Sequence, residues 1–191
     1  MKLHIYLFRH GQTTFNRDKR FTGWLDAKLT KLGKQQAKIV AKKLKNKKFE
    51  IAYSNDLSRC TRTLKEVLKY HPAVKKIKID KRLRERSYGS LQGKTHKEII
   101  AKYGQEMFDK WHRDYNFPPP KGESIKMVEK RVNAFIKDLL KMMKKEKCNV
   151  AISASGNSMR PFRKYFEHST IKQMMKLENP WDDYFEYTIN V

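Results

Sequence analysis

The chain is short of cysteine: of 191 residues only Cys60 and Cys148 carry a thiol. Two cysteines make no disulfide framework and have no metal-ligand spacing, so a reducing, cytoplasmic setting is the expectation and no metal is expected. Long apolar runs are missing too. No stretch approaches the eighteen or so apolar residues of a membrane span, so no membrane association is expected. The N-terminal run Leu3-His4-Ile5-Tyr6-Leu7-Phe8 is too short for a signal peptide and has no small-residue cleavage site. No repeat, Gly/Ser linker or low-complexity block divides the sequence. One domain over residues 1–191 is therefore expected, with a partly helical excursion at about 80–123.

Acidic residues are scarce as well, 20 against 44 Lys and Arg, for a formal net charge of +24. Runs such as Lys42-Lys43-Leu44-Lys45-Asn46-Lys47-Lys48 and Lys141-Met142-Met143-Lys144-Lys145-Glu146-Lys147 fall at the ends of helical patterns. Cations there complement the helix dipole. The runs have no interleaved aromatics and no nucleic-acid motif, so nucleic-acid binding is expected to be non-specific at most. Such a field would still steer a small anionic substrate.

Hydrophobic periodicity outlines alternating strands and helices. Residues 30–45 read as a helix capped by Thr30, with Leu32, Gln36, Val40 and Leu44 along one side. Ile51-Ala52-Tyr53 reads as a strand. The next helix, capped by Asp56, turns Leu57, Cys60, Leu64, Val67 and Leu68 inward. Residues 74–79 read as a strand, and Pro118-Pro119-Pro120 stops any helix before it. Ser124 opens an amphipathic helix through Leu139. Residues 149–154 and 184–189 read as strands and 158–166 as a helix. This alternation predicts a three-layer α/β/α sandwich with a mostly parallel central sheet.

The most informative stretch is Arg9-His10-Gly11-Gln12-Thr13, directly after the first strand. A tight turn there places an imidazole and a guanidinium at the strand's carboxyl end, where open α/β sheets bind ligands. Arg offers a planar fork of donors matched to phosphate, and neutral His is a competent nucleophile toward phosphorus. Gly11 would let the backbone approach a ligand closely. An Arg-His pair solvated in a loop is the plain alternative. Arg59 sits in the first turn of its helix, where a guanidinium and the positive helix end would face an anion together. Arg62 has a weaker case and reads as surface.

Downstream come Phe21-Thr22-Gly23-Trp24, Ser54-Asn55-Asp56-Leu57-Ser58-Arg59 and Glu85-Arg86-Ser87-Tyr88-Gly89-Ser90-Leu91-Gln92-Gly93. Ser155-Gly156-Asn157-Ser158-Met159-Arg160 completes the series. With Arg9-His10-Gly11 in front, this ordered set resembles the histidine phosphatase superfamily and, within it, the cofactor-dependent phosphoglycerate mutases. The resemblance runs from Leu3 to about Tyr187. It implies His10 as phosphoryl carrier, Arg9 and Arg59 as phosphoryl clamps and Glu85 as the acid that protonates a leaving alkoxide. Arg84 and Arg86 flank Glu85 and would ordinarily depress its pKa, so burial near the phosphate is needed. The resemblance further implies that Asn16, Thr22, Gly23 and Tyr88 contact substrate and that Gly156 and Asn157 form a phosphate-side loop.

This sequence departs from the family pattern in four places. Ser155 stands where the family has its second catalytic histidine. His96 replaces a substrate-binding Lys, and His112-Arg113 replaces paired arginines. The insertion expected between Pro120 and Ser124 is nearly absent, and the family's mobile tail is not expected here. An open site admits water to phosphohistidine and favours hydrolysis. The readings that follow are a phosphoglycerate mutase primed by 2,3-bisphosphoglycerate, a phosphomonoesterase on the same scaffold, and a catalytically weak phospho-ligand or polyanion-binding protein. In each, the partner is a small anionic phosphate ester or a polyanion. Assembly into a homo-oligomer stays open.

Overall fold

The computed structural model describes residues 1–74 and 76–191, so Lys75, in the predicted 74–79 strand, lies outside the described residues. Five strands form one sheet: β1 (Lys2–Arg9), β2 (Ile51–Ser54), β3 (Lys76–Ile79), β4 (Val150–Ala154) and β5 (Tyr184–Asn190), in the order β3-β2-β4-β1-β5. The pairs β2/β3, β2/β4 and β1/β4 are parallel, and β5 closes the β1 edge antiparallel.

Strand β1 shows why the sheet is covered on both faces. Its residues alternate sides. Leu3, Ile5 and Leu7 join Val128, Val132, Ile136 and Phe162 on one face, contributed by helices α5 (Ile125–Glu146) and α6 (Gly156–Glu167). Tyr6 and Phe8 join Val40, Leu44, Leu64 and Val67 on the other, contributed by α2 (Lys31–Leu44) and α3 (Ser58–Leu68). The mixed α/β architecture with a mostly parallel sheet is the one the periodicity predicts.

Local details depart from the sequence reading. Thr30 caps α2 as expected, accepting from the Gly33 amide at 2.9 Å, and Ser124 caps α5, accepting from Met127 at 3.2 Å. Leu32, however, is exposed. Asp56 does not cap α3: its carboxylate pairs with Arg84 instead. The Leu57 amide donates to Asn55 Oδ1 at 3.0 Å, and the Ser58 amide donates to Asp26 Oδ1 at 2.8 Å. Helix α6 starts at Gly156, two residues earlier than predicted, because Ser158 Oγ accepts from the Ser155 amide at 3.2 Å and stabilises the first turn.

Two short helices escaped the periodicity, and a third, broken one lies in the excursion read as partly helical. Helices α1 (Thr14–Arg17) and α7 (Ile171–Lys176) are single turns, too short to show an apolar face. Helix α4 (His96–Arg113) is broken at Gly104, which takes φ 82° and ψ 163°. It ends before the proline run, where the Asp114 carboxylate accepts from the amides of Asn116 and Phe117. The excursion that contains α4 buries its own small core of Phe21, Tyr88, Leu91, Ile99, Phe108 and Trp111.

Candidate active site

The carboxyl ends of β1, β2 and β4 meet at one point of the sheet. The His10 amide donates to the Ala154 carbonyl at 3.1 Å, extending the β1/β4 ladder one residue beyond the strand. His10 is thereby fixed as the first residue of the turn, with its side chain buried. The glycine behind it has a different purpose from the one its sequence suggests. A Cβ on Gly11 would sit 2.1 Å from the Gly33 carbonyl oxygen, so the residue admits the start of α2 rather than a ligand.

His10 Nδ1 lies 2.7 Å from the Gly11 carbonyl, which accepts its proton and leaves Nε2 with the free lone pair. Burial, reinforced by the nearby Arg59 and Arg9 charges, pushes its pKa well below the usual 6.5. The ring is therefore a neutral nucleophile in mild acid as well as at neutral pH.

Arg59 is buried and Arg9 half-buried, and backbone carbonyls order both. Arg59 Nη1 and Nη2 donate to the carbonyls of Leu25 and Gly23 at 2.8 and 2.7 Å. Arg9 Nη1 donates to the Asn179 carbonyl at 3.1 Å, and its guanidinium lies 4.7 Å over the Trp181 ring. In both residues Nε is buried with no partner among the described residues. An unpaired buried donor carries a desolvation cost that an incoming anion removes. Arg62, one turn along α3, is exposed.

The Phe21–Trp24 segment ties these parts together. Gly23 has φ 53° and its carbonyl receives Arg59, while Trp24 Nε1 donates to the Glu85 carbonyl at 2.8 Å. Glu85 is buried, and its Oε1 accepts from the amides of Arg86 and Asn157 at 2.8 and 3.1 Å. The flanking arginines do not pair with it. Arg84 is bound to Asp56, and Arg86 Nε donates to the Glu123 carbonyl at 2.6 Å. Asn157 Nδ2 in turn donates to the Tyr88 hydroxyl at 3.2 Å.

A cleft of about 240 Å³ opens beside this cluster. Of the sequence-predicted residues, Arg9, Asn16, Thr22, Glu85, Tyr88, His96, His112, Arg113, Gly156 and Asn157 line it. His10, Gly23, Arg59 and Ser155 fall outside its lining. Ser155 is fully buried, and its Oγ lies 3.5 Å from both Asn55 Nδ2 and Cys60 Sγ. Asn16 spends Oδ1 on the Thr13 amide and hydroxyl at 3.0 and 2.9 Å, which holds the entrance turn of α1.

Several lining residues were missed. Lys19, Arg20 and Arg160 add cations to the cleft, and Glu178 and Asn179 complete its wall. Arg20 directly precedes the Phe-Thr-Gly-Trp stretch and Arg160 ends the Ser-Gly-Asn-Ser-Met-Arg stretch, so both were within reach of the motifs. Asn179 and Trp181 carried no signal. Among the described residues no group of His, Cys, Asp or Glu could hold a metal ion, and no helix is long and apolar enough to cross a membrane.

Residues 5–188 match the histidine phosphatase superfamily (branch 1). The chain is 36% identical over 182 residues to a 2,3-bisphosphoglycerate-dependent phosphoglycerate mutase of Brucella melitensis, covering 93% of this chain and 88% of the relative. Among solved structures, mycobacterial glucosyl-3-phosphoglycerate phosphatase superposes with a TM-score of 0.84 at 25% identity, covering 98% of this chain and 91% of that one. The α-ribazole phosphatase of Shigella flexneri shares the fold, with a TM-score of 0.85 at 20% identity over 96% of this chain and 89% of that one. A buried strand-end histidine that feels the charges of Arg9 and Arg59, with this match along nearly the whole chain, makes the protein a member of the histidine phosphatase superfamily.

Proposed function

We propose that the protein moves a phosphoryl group between the two hydroxyls of glycerate, interconverting 3- and 2-phosphoglycerate through phosphohistidine at His10. One observation carries this reading. Beside a neutral, buried His10 runs a cleft whose wall holds Arg9, Lys19, Arg20, Arg113 and Arg160. That length of positive wall suits a small ester with a second acidic group, as in phosphoglycerate, better than a simple monoester. The similarity to 2,3-bisphosphoglycerate-dependent mutases supports it.

His10 Nε2 attacks phosphorus, a new N–P bond forms and the ester P–O bond breaks. Glu85, held by the amides of Arg86 and Asn157, is placed to give its proton to the leaving oxygen and to take one back in the reverse step. Arg9 and Arg59 follow the phosphoryl oxygens through the transfer, their unpaired Nε groups finding partners. 2,3-Bisphosphoglycerate fits the same cationic wall and, when bound, supplies the phosphoryl group that charges His10. Asn16, Thr22, Tyr88 and Asn157 orient the glycerate portion.

A second reading, a phosphomonoesterase, is favoured by the entrance. The loop ahead of α5 is a tight turn, with the Gly122 amide donating to the Pro119 carbonyl at 2.9 Å, and none of its residues lines the cleft. Ser155 also supplies no positive charge. Water would then discharge His10. Phosphorus NMR of 3-phosphoglycerate with trace 2,3-bisphosphoglycerate separates the two. Accumulation of 2-phosphoglycerate supports the mutase, whereas inorganic phosphate without isomerisation replaces it by the phosphatase.

A further inference from the structure

His96 opens helix α4 and His112 nearly closes it, in a helix of 18 residues. A straight helix of that length would hold its ends roughly 25 Å apart, at 1.5 Å per residue. The break at Gly104 folds the second half back on the first, and the two imidazole centroids come to 5.1 Å. Both rings rest on Phe21, at 4.8 and 5.7 Å, and on Phe108, at 5.1 and 5.0 Å. Both line the cleft. Among the described residues, no hydrogen bond engages a ring nitrogen of either one.

The charged surroundings are mostly positive. Lys19 and Arg20 face the cleft from the segment after α1, Arg113 from α4 itself and Arg160 from α6. Arg86 reaches in from behind, its Nη1 donating to the His112 carbonyl at 3.4 Å. The carboxylates on the same cleft are Glu85, already held by two amides, and Glu178. Burial is the main cause that lowers both histidines, His112 to about 3, with Arg113 adding to it in each and Lys19 also acting on His96. The free protein therefore keeps a pair of neutral imidazoles, with unengaged nitrogens, inside a ring of fixed cations.

We propose that His96 and His112 form a proton-coupled subsite that takes the second, doubly charged phosphate of a bisphosphorylated substrate or primer. A dianion entering the cleft offsets the surrounding cations and supplies the counter-charge that a buried imidazolium otherwise lacks. A proton is then taken up from solvent onto one imidazole, which donates a charge-assisted hydrogen bond to the phosphate. A carboxylate, with one charge, draws the proton less strongly. The pair thus favours a distal phosphate over a distal carboxylate, and increasingly so as pH falls. This rests on the phosphoglycerate reading above for the choice of ligand, though not for the existence of the pair.

The test is an NMR titration of histidine Cε1–H resonances in the full chain, assigned with His96→Gln and His112→Gln. Without ligand, both should titrate below the usual 6.5, with His112 still neutral at about pH 5.5. With saturating 2,3-bisphosphoglycerate, at least one should titrate near or above about pH 6.5. Affinity should also rise about fourfold more between pH 8 and pH 6 in the wild type than in the double variant, the linkage of one imidazole with a bound pKa near 6.5. The ligand's own ionisation cancels in that comparison. Saturation with both imidazoles still neutral overturns the subsite alone. Failure of 2,3-bisphosphoglycerate to bind overturns the mutase reading. The subsite is then decided with pyrophosphate, where neutral imidazoles at saturation overturn it and protonation sustains it.

Discussion

The imidazole of His10 donates its Nδ1–H to the carbonyl of the next residue, Gly11, across 2.7 Å. This fixes the tautomer without a carboxylate partner, and the small pull of the carbonyl toward the imidazolium is outweighed by burial and by the charges of Arg59 and Arg9. Incubation with 2,3-bisphosphoglycerate should place an acid-labile, base-stable phosphate on His10, and His10→Gln should abolish both the label and turnover. A label on another residue would displace His10 from the role.

The same burial predicts acid sensitivity of the fold. His10 and His112 both hold folded-state pKa values below the unfolded 6.5. Their contribution to stability is complete above about pH 6.5 and is lost as pH falls toward the folded values. At pH 5 protonation of His112 in the unfolded chain alone favours unfolding by about 2 kcal/mol, and His10 acts in the same direction. Thermal melts should show the loss between pH 7 and pH 5, and His112→Phe should flatten it.

Arg59→Ala should cost on the order of 3 kcal/mol in transfer, the scale of one lost transition-state donor. It also releases the carbonyls of Gly23 and Leu25, so the 22–25 segment should loosen. Arg62→Ala should cost far less, since that side chain is exposed. Steady-state rates of both variants decide the point, and equal losses would mean that Arg59 does not act on the phosphoryl group.

The sheet and its two covering layers were legible because β1, β2, β4, α2 and α5 bury regular apolar faces. Arg9 and Arg59 were singled out through motif spacing, and the structure gives that spacing a physical reason. Thr22-Gly23-Trp24 is held together as a strap, with Gly23 on Arg59 and Trp24 on Glu85. The sequence reading failed where long-range contacts decide. Asp56 had a cap's chemistry, but Arg84 competes for it and Asp26, distant in sequence, takes the helix amide. Asn179 and Trp181 hold Arg9 from the far end of the chain, a contact no local pattern encodes. The meeting of His96 and His112 depended on one glycine in a helical pattern.

Gly104 should therefore be a sensitive position although its surroundings are empty. A Cβ there meets nothing within 4 Å, so Gly104→Ala acts only through the backbone at φ 82°. The cost should be about 1 kcal/mol if the break persists. If alanine straightens the helix instead, His96 and His112 separate, and affinity for a distal phosphate should fall while Arg9 and Arg59 keep their partners. Chemical denaturation and binding of 2,3-bisphosphoglycerate together distinguish the two outcomes.

Restoring a histidine at position 155 joins an electrostatic gain to a packing cost. An imidazolium beside the phosphoryl oxygens stabilises charge that a hydroxyl cannot, and groups of this kind change rates by about tenfold to a thousandfold. Position 155 is fully buried, however, and its side chain abuts Asn55 and Cys60 at 3.5 Å. An imidazole there overpacks the site at a cost of about 1–3 kcal/mol. Cys60→Ala removes the sulfur that stands in the way, so the pair Ser155→His with Cys60→Ala should gain more turnover than Ser155→His alone and recover its melting temperature. Cys60→Ala alone should change the rate little. A double variant that folds normally and turns over no faster than wild type would show that the site works around serine without a second imidazolium. A gain confined to isomerisation would identify the native reaction as the mutase, because hydrolysis leaves through the same phosphohistidine and would otherwise rise with it.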